Sequence, residues 1–255
     1  MLLAIDIGNT RISFGIYKDD NILKNKSHVY KKDISQSEIE SYIKTFTKDF
    51  DISNCIISSV VEELTDTVKN AIENIFGFKP LILNTNLKIN ITINSDKPET
   101  CGADRIANAV AASTLYKQRP VIVVDSGSAT TFDIIDKNNT FIGGLIMPGI
   151  DMQLNSLSEK TSKLPKLNVK MVKNKLNIIA NDTNNSIFSG VVIAHAMAVQ
   201  GLLNGCEQEL GSKAFVIGTG GNANLINEYM NERKFDVINP TLTLDGLNEI
   251  YKLNV

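Results

Sequence analysis

The chain has 255 residues, enough for one large or two modest domains and too few for three. With 43% hydrophobic and 21% charged residues and 6 prolines, its composition excludes the disordered, collagen-like and low-complexity classes. A net charge of -2, with the 26 Lys and Arg scattered rather than blocked, advertises neither a nucleic-acid nor a membrane partner, so a small molecule is expected.

Residues 1–5 are apolar, carry no basic n-region and meet Asp6 at once, so they read as a buried strand rather than a leader. Residues 2–20, LLAIDIGNTRISFGIYKDD, then find a counterpart in residues 121–139, VIVVDSGSATTFDIIDKNN. Aligning Asp6 with Asp125 sets an offset of 119 residues and places Gly8 over Gly127, Asn9 over Ser128 and Lys18-Asp19-Asp20 over Lys137-Asn138-Asn139. Each copy is an apolar strand ending in Asp-x-Gly-polar, a second β-rich strand, and a turn toward a third run at 21–23 or 140–142. That pattern is a hairpin opening each of two similar units. Two related α/β domains are expected, residues 1–117 and 118–255, divided where Lys117-Gln118-Arg119-Pro120 interrupts the apolar pattern.

After the first hairpin, the spacing predicts a helix over 35–50, a strand at 55–60, a helix over 61–76, a strand at 80–83 and an alanine-packed helix over 105–115. After the second it predicts a long helix over 186–210, a strand at 214–217, a helix over 223–231, a strand at 236–238 and a closing helix over 243–252. This alternation argues for α/β domains with mixed sheets rather than a sandwich or bundle. The apolar stretch 187–203 is broken by Ser189, Gly190, His195 and Gln200 and is short for a bilayer span, so no membrane segment is expected. A helix apolar on nearly every face is a core or subunit-interface element, and a dimer interface is the favoured reading. His195 within it reads as a hydrogen-bonded core histidine.

Cys55, Cys101 and Cys206 are odd in number, far apart and without C-x-x-C spacing, which argues against a disulfide framework or a cysteine zinc site and fits a reducing cytoplasm. The two histidines, His28 and His195, form no H-E-x-x-H or H-x-x-x-H pattern, and no G-x-S-x-G elbow occurs. The sharpest signal is Asp6-Ile7-Gly8-Asn9-Thr10. A strand-end carboxylate can hold a cation, the glycine admits a phosphate close to the backbone, and the Asn and Thr side chains donate to phosphate oxygens. The competing reading is a plain hairpin turn. A second copy, Asp125-Ser126-Gly127-Ser128, favours a nucleotide gripped from two sides.

Cys101-Gly102-Ala103-Asp104-Arg105 follows a loop containing Pro98 and opens a helix, so Asp104 lies in the first turn, where the helix dipole favours its ionised form as a modest base. The alternative is an ordinary helix-start aspartate beside an exposed arginine. Gly218-Thr219-Gly220-Gly221-Asn222-Ala223, with Asp236 further on, formally matches G-x-G-x-x-A. Too little chain follows for a third strand, leaving a surface for an adenosine or a tight turn. Gly143-Gly144-Leu145-Ile146-Met147-Pro148-Gly149 either lines a cleft or ends a strand, and Asn181-Asp182-Thr183 reads as a helix start.

Together with Val124-Asp125-Ser126-Gly127-Ser128-Ala129-Thr130-Thr131-Phe132-Asp133 and Leu242-Thr243-Leu244-Asp245-Gly246-Leu247, these motifs resemble, in order, those of type III pantothenate kinases. The resemblance implies two ribonuclease H-like domains of the actin, Hsp70 and sugar-kinase type with ATP in an interdomain cleft. It also implies a cytoplasmic homodimer that transfers the γ-phosphate of ATP to pantothenate, the first step of coenzyme A synthesis, with no nucleic-acid or membrane partner.

By motif match, Asp104 is the expected catalytic base, and Gly102, Ala103, Asp104, Arg105 and Thr183 are the expected substrate contacts, Thr183 from the partner subunit. Asp6, Ile7, Gly8, Asn9, Thr10, Arg11, Ile12, Ser13 and Ser128 are expected around ATP, with Asp6 near Mg²⁺ and Asp125 at a monovalent cation, K⁺ or NH₄⁺. The chain departs from the family in three places. Ser128 replaces the usual threonine, no tyrosine occurs between 90 and 100, and Glu62 stands where a proline often follows Ser58-Ser59-Val60-Val61. A kinase for another small alcohol, a phosphohydrolase of the same fold, and a non-catalytic accessory protein are the competing readings.

Overall fold

A computed structural model describes residues 1–31, 33–95, 97 and 100–255; Pro98, expected in the loop before Cys101, lies outside the described residues. In chain order the elements are β1 (Leu2–Ile7), β2 (Arg11–Lys18), β3 (Asn21–Val29), α1 (Gln36–Thr47), β4 (Asn54–Ser59), α2 (Glu62–Phe76), β5 (Leu81–Ile82), β6 (Thr92–Ile93), α3 (Ala103–Leu115), β7 (Val121–Ser126), β8 (Ala129–Ile135), β9 (Thr140–Pro148), α4 (Ile150–Lys160), α5 (Thr183–Phe188), α6 (Ala194–Leu210), β10 (Phe215–Thr219), α7 (Ala223–Tyr229), β11 (Val237–Ile238) and α8 (Leu242–Lys252). They form two compact units, residues 1–117 with 241–255, and residues 118–240.

In the first unit the strand order is β3-β2-β1-β4-β5, with β1, β2 and β3 antiparallel and β4 and β5 parallel to β1. The period of two along each strand sorts the residues between two faces. Leu3, Ile5, Ile7, Cys55 and Ile57 pack with Ile39, Ile43, Val68 and Ile72 of α1 and α2. Ala4, Asp6, Ile56 and Ser58 therefore share the other face, where α8 packs on β1 and β4. Helix α1 is started by a capping box between Ser35 and Glu38, and α2 is stopped by left-handed Gly77 at φ 75.

Helix α8 lies along α3, and both helices give way to make the contact. Helix α3 contributes Ala107, Ala111 and Ala112, all fully buried. Helix α8 contributes Gly246, where any Cβ would overlap the carbonyl of Ala107. Polar bonds set the register: Thr243 Oγ1 to Asn108 Oδ1 at 2.8 Å, Tyr17 Oη to Asp245 Oδ1 at 2.6 Å, and Asn248 Nδ2 to the Asp19 carbonyl at 3.0 Å. Burial and the neighbouring Asp245 push the Tyr17 phenol up, so it donates as a neutral hydroxyl. The chain first passes from one unit to the other between Lys117 and Gln118, and α8 packs in the first unit although it follows the whole of the second in sequence. Amphipathic spacing announces a buried helix face but not the sheet that buries it.

The second unit repeats the plan. Its strands run β9-β8-β7-β10-β11, with an antiparallel β7-β8-β9 meander and β10 and β11 parallel to β7. Two mixed sheets of one design realise the expected α/β fold. The repeat is not residue-for-residue, however. Ile7 pairs with Ile12 across the first hairpin loop but Ser126 pairs with Thr130 across the second, so the second loop is one residue shorter. The turn residues with positive φ are Asp19 and Asn139, one step off the constant offset.

Helices α5 and α6 are joined by a π-helical turn, Ser189–Ile193, into one run from Thr183 to Leu210. At 28 residues that run is long and apolar enough to cross a membrane, unlike the shorter stretch read from the sequence. Its Val192, Ala196, Val199 and Leu203 are fully buried in the core of the unit, with small residues Gly190, Ala194, Ala198 and Gly201 on the exposed side. At the far end Glu207, 5% exposed, accepts from Lys213 Nζ at 2.6 Å, Arg233 Nε at 3.1 Å and the Ala214 amide at 3.2 Å, tying α6 to β10.

Gly246→Ala is expected to destabilise the first unit by about 1–3 kcal/mol, the usual cost of overpacking, even though alanine is the better helix former. Ser41→Ala, at an exposed position of α1 where alanine is likewise the better helix former, should instead stabilise by about 0.5 kcal/mol. Urea unfolding of both variants checks the contrast, and equal behaviour would remove close helix approach as the reason for glycine.

Candidate functional site

Strand β1 carries Asp6 to the polar end of its sheet, directly beside Ser58 of parallel β4. Ser58 is fully buried and its Oγ has no hydrogen-bond partner among the described residues. The loop after Asp6 closes with the Gly8 amide donating to the Arg11 carbonyl at 3.0 Å and leaves Asn9 and Thr10 exposed. Neither φ nor packing demands glycine at position 8, since an added Cβ comes no nearer than 3.4 Å to the Arg11 carbonyl. What its missing side chain provides is open space beside the loop. Ile7 and Ile12 are 0% and 1% exposed, so of these expected nucleotide residues only the main chain can face a ligand. Ser13 Oγ lies 3.0 Å from Ser27 Oγ.

One residue outside every motif holds this loop. Tyr30, just past β3, donates its hydroxyl to the Gly8 carbonyl at 2.8 Å. No local pattern marks it, because a tyrosine at a strand end is ordinary and its partner lies 22 residues away.

Asp104 stands in the first turn of α3, as expected. Its Oδ1 accepts from the Arg105 amide at 2.8 Å, and a Cβ on Gly102 would come within 2.5 Å of that oxygen. The glycine that caps the helix therefore reserves the carboxylate's position. The electrostatic expectation needs correction. Burial pushes the Asp104 pKa up, outweighing the Arg105 amide and the Arg105 charge that pull it down. A partly desolvated carboxylate is a stronger proton acceptor than an exposed helix-start aspartate.

In the second unit three glycine motifs, dispersed in sequence, meet at one place. Asp125 is the last residue but one of β7, and the Gly127 amide closes the following loop onto the Ala129 carbonyl at 3.0 Å. Gly149, at the start of α4, donates to the Ser128 carbonyl at 3.2 Å and lies so close that a Cβ would strike the carbonyls of Gly127 and Ser128. Gly220, at φ 82, presses on Asp125 from the other side, its missing Cβ vacating the space taken by Oδ1, and the Asn222 amide donates to the Ser126 carbonyl at 3.1 Å. The dinucleotide reading of this turn fails. Asp236 Oδ2 is engaged by the Val216 amide at 2.7 Å and by Arg233 Nη2 at 3.1 Å, and Gly218 is small because the Phe235 ring packs on it.

Thr183 opens α5, capped by Asp182, whose carboxylate accepts from the Asn185 amide at 3.0 Å. It lines a cavity of about 1110 Å³ in the second unit with Pro148, Gln153, Asn181, Ser186 and Ile187. Thr183, Ser128 and Asp125 thus belong to the second unit, and Asp6 and the Gly102–Arg105 segment to the first.

No group of three or more Asp, Glu, His or Cys side chains suited to a metal occurs among the described residues. A single carboxylate such as Asp6 or Asp125 suits a cation that takes most of its ligands from elsewhere, and does not make an all-protein metal cage.

The family model for type III pantothenate kinase matches residues 2–205. A type III pantothenate kinase of Dehalococcoides mccartyi (strain CBDB1) is 37% identical over 258 residues, covering 99% of this chain and 96% of its own. One from Agathobacter rectalis is 36% identical over 259 residues, covering 99% and 97%. Among solved structures, a ROK family glucokinase from Streptomyces griseus, in complex with glucose and AMPPNP, superposes with a TM-score of 0.55 at 12% identity, covering 99% of this chain and 98% of its own; at that identity it speaks for the fold alone. Kinship over nearly the full length, with the motifs in their order on two sheets of one plan, leads to one conclusion: the chain belongs to the type III pantothenate kinase family.

Proposed function

We infer that this chain transfers the γ-phosphoryl group of ATP to pantothenate, giving 4'-phosphopantothenate and ADP. The observation that carries the reading is the end-to-end similarity to curated type III pantothenate kinases, and the environment of Asp104 supports it. As the pantothenate hydroxyl oxygen bonds to the γ-phosphorus and the bond to the β-γ bridging oxygen breaks, the hydroxyl proton passes to the Asp104 carboxylate. Such a transfer needs positioning and charge neutralisation more than a strong base.

Gly102, Ala103 and Arg105 are assigned to pantothenate with Asp104, and Thr183 to pantothenate bound by the partner subunit. The loop 6–13 and Ser128 are assigned to the ATP phosphates. Asp6 would hold Mg²⁺ and Asp125 K⁺ or NH₄⁺; bound with the nucleotide, these cations supply positive charge against the phosphates. A homodimer is supported by the small-residue side of the helix 183–210 beside the open cavity at Thr183, and a reducing cytoplasm by three cysteines that form no disulfide.

The purified protein is expected to form ADP only when pantothenate and Mg²⁺ are both present, and faster with K⁺ or NH₄⁺ than with Na⁺. Equal ADP release without pantothenate would indicate a phosphohydrolase and sink the proposal. Asp104→Asn should keep ATP binding while turnover drops about 10²–10⁴-fold, the range for a positioned base. Near-normal turnover would remove Asp104 from the mechanism. Gly102→Ala, which displaces the same carboxylate, should lower kcat at least tenfold, on the order expected for small misplacements, with an unaltered melting temperature.

The pH profile follows from the direction of the Asp104 shift. The base works deprotonated and its pKa is raised, so kcat/KM must fall on acidification through a midpoint above about 3.9, the ordinary aspartate value. A limb at or below that value contradicts a buried base.

A further inference from the structure

His195 does more than fill the core. It is 2% exposed, with Nε2 3.0 Å from Thr130 Oγ1 and Nδ1 2.8 Å from Gln153 Nε2. Gln153 Nε2 also donates to the Pro148 carbonyl at 2.9 Å. An amide nitrogen only donates, so Nδ1 is the acceptor, and the ring proton sits on Nε2 and goes to Thr130 Oγ1. Burial moves the imidazole pKa down to about 4, which keeps this neutral tautomer in place at neutral pH.

The partners of His195 converge on one short loop. Thr130 is the residue after the 127–129 loop, pairing with Ser126 on one side and Met147 on the other. Pro148 pairs with Ala129 of the loop, and Gly149 lies against the Gly127 and Ser128 carbonyls. The loop is thus gripped at its end by Thr130 and along its length by Pro148 and Gly149. His195 joins the two grips, one through each ring nitrogen. A buried imidazole must bond through both ring nitrogens in any role; what marks His195 is that both bonds end on the supports of this one loop.

We propose that His195 is a positioning residue for the Gly127-Ser128-Ala129 loop, fixing through Thr130 and Gln153 where that loop presents Ser128 to the nucleotide. His195 itself touches neither ATP nor pantothenate. The inference rests on the nucleotide role assigned to Ser128, so its test includes a readout that needs no turnover.

In the full-length protein, His195→Phe keeps a ring and loses both bonds, while Thr130→Val keeps its shape and loses one. Amide hydrogen exchange on the ligand-free protein should show Gly127 and Gly149 exchanging about tenfold faster in each variant, on the order of one lost buried hydrogen bond. The Val216 amide of β10 should stay as slow as in the parent. In steady state Thr130→Val, which leaves Gln153 bonded to His195, should raise the KM for ATP about tenfold, on the same grounds, with kcat and the KM for pantothenate little changed.

Unchanged exchange at Gly127 and Gly149 overturns the proposal whatever reaction the protein catalyses. Equal acceleration at Val216 also overturns it, by showing a general structural role, and so does faster loop exchange with an unaltered KM for ATP. If His195→Phe does not fold, Thr130→Val decides by the same readouts. A parent protein without pantothenate-dependent ADP formation refutes the assigned reaction, while the exchange result still judges the positioning role.

Discussion

The close approach of α3 and α8 is the constraint on which the first unit depends. Two helices with ordinary side chains pack about 8–10 Å apart; here Gly246 brings its backbone onto the carbonyl of Ala107. The alanines that make α3 thin enough for this contact also place its first turn, where Asp104 sits. Tyr17, Asn108 and Asp19 fix α8 along its length, so the helix cannot slide without breaking hydrogen bonds to three separate elements. The geometry at Asp104 is thereby set partly by a helix more than 130 residues further along the chain.

The second unit obtains its precision differently. Two backbones are pressed against the strand-end loop that bears Asp125, Gly149 on the carbonyl side and Gly220 on the carboxylate side. Both contacts exist only because a side chain is absent. Backbone against backbone leaves few soft degrees of freedom, so the loop is held by rigid parts, with the His195 bonds closing the ring behind it. In the first unit the equivalent loop has no such pair of glycines, and the tyrosine at position 30 bonds the Gly8 carbonyl instead. Two copies of one hairpin are thus steadied by different means.

Much of this was legible because periodicity and motif order are local properties. The alternation in β1 and β7, the alanines of α3 and the Asp-x-Gly strand ends could be read without coordinates, and the two-sheet plan followed from them. Three features were not legible. The partner of α8 depends on a contact over a long sequence separation, which amphipathic spacing does not encode. The one-residue difference between hairpin loops is invisible to an alignment held at constant offset, although it changes every pairing in the second strand. The raised pKa of Asp104 arises from burial by distant residues, and local reasoning saw only the helix terminus, whose effect has the opposite sign. Glycines read as ligand-facing divide in the same way: Gly218 answers to Phe235, whereas Gly102 answers to Asp104.

The assignment of residues 241–255 to the first unit has a consequence for biosynthesis. The sheet built on β1 is made early, but the helix that covers one of its faces leaves the ribosome only after all of residues 118–240. At ~5–20 residues per second, that interval is roughly ten seconds. During it the face bearing Ala4 and Ile56 lacks its final cover, while residues 118–240 already hold everything their own core requires. Vectorial synthesis therefore favours completion of the inserted unit before the unit that surrounds it in sequence, and makes nascent chains stalled before residue 241 the form most exposed to chaperones.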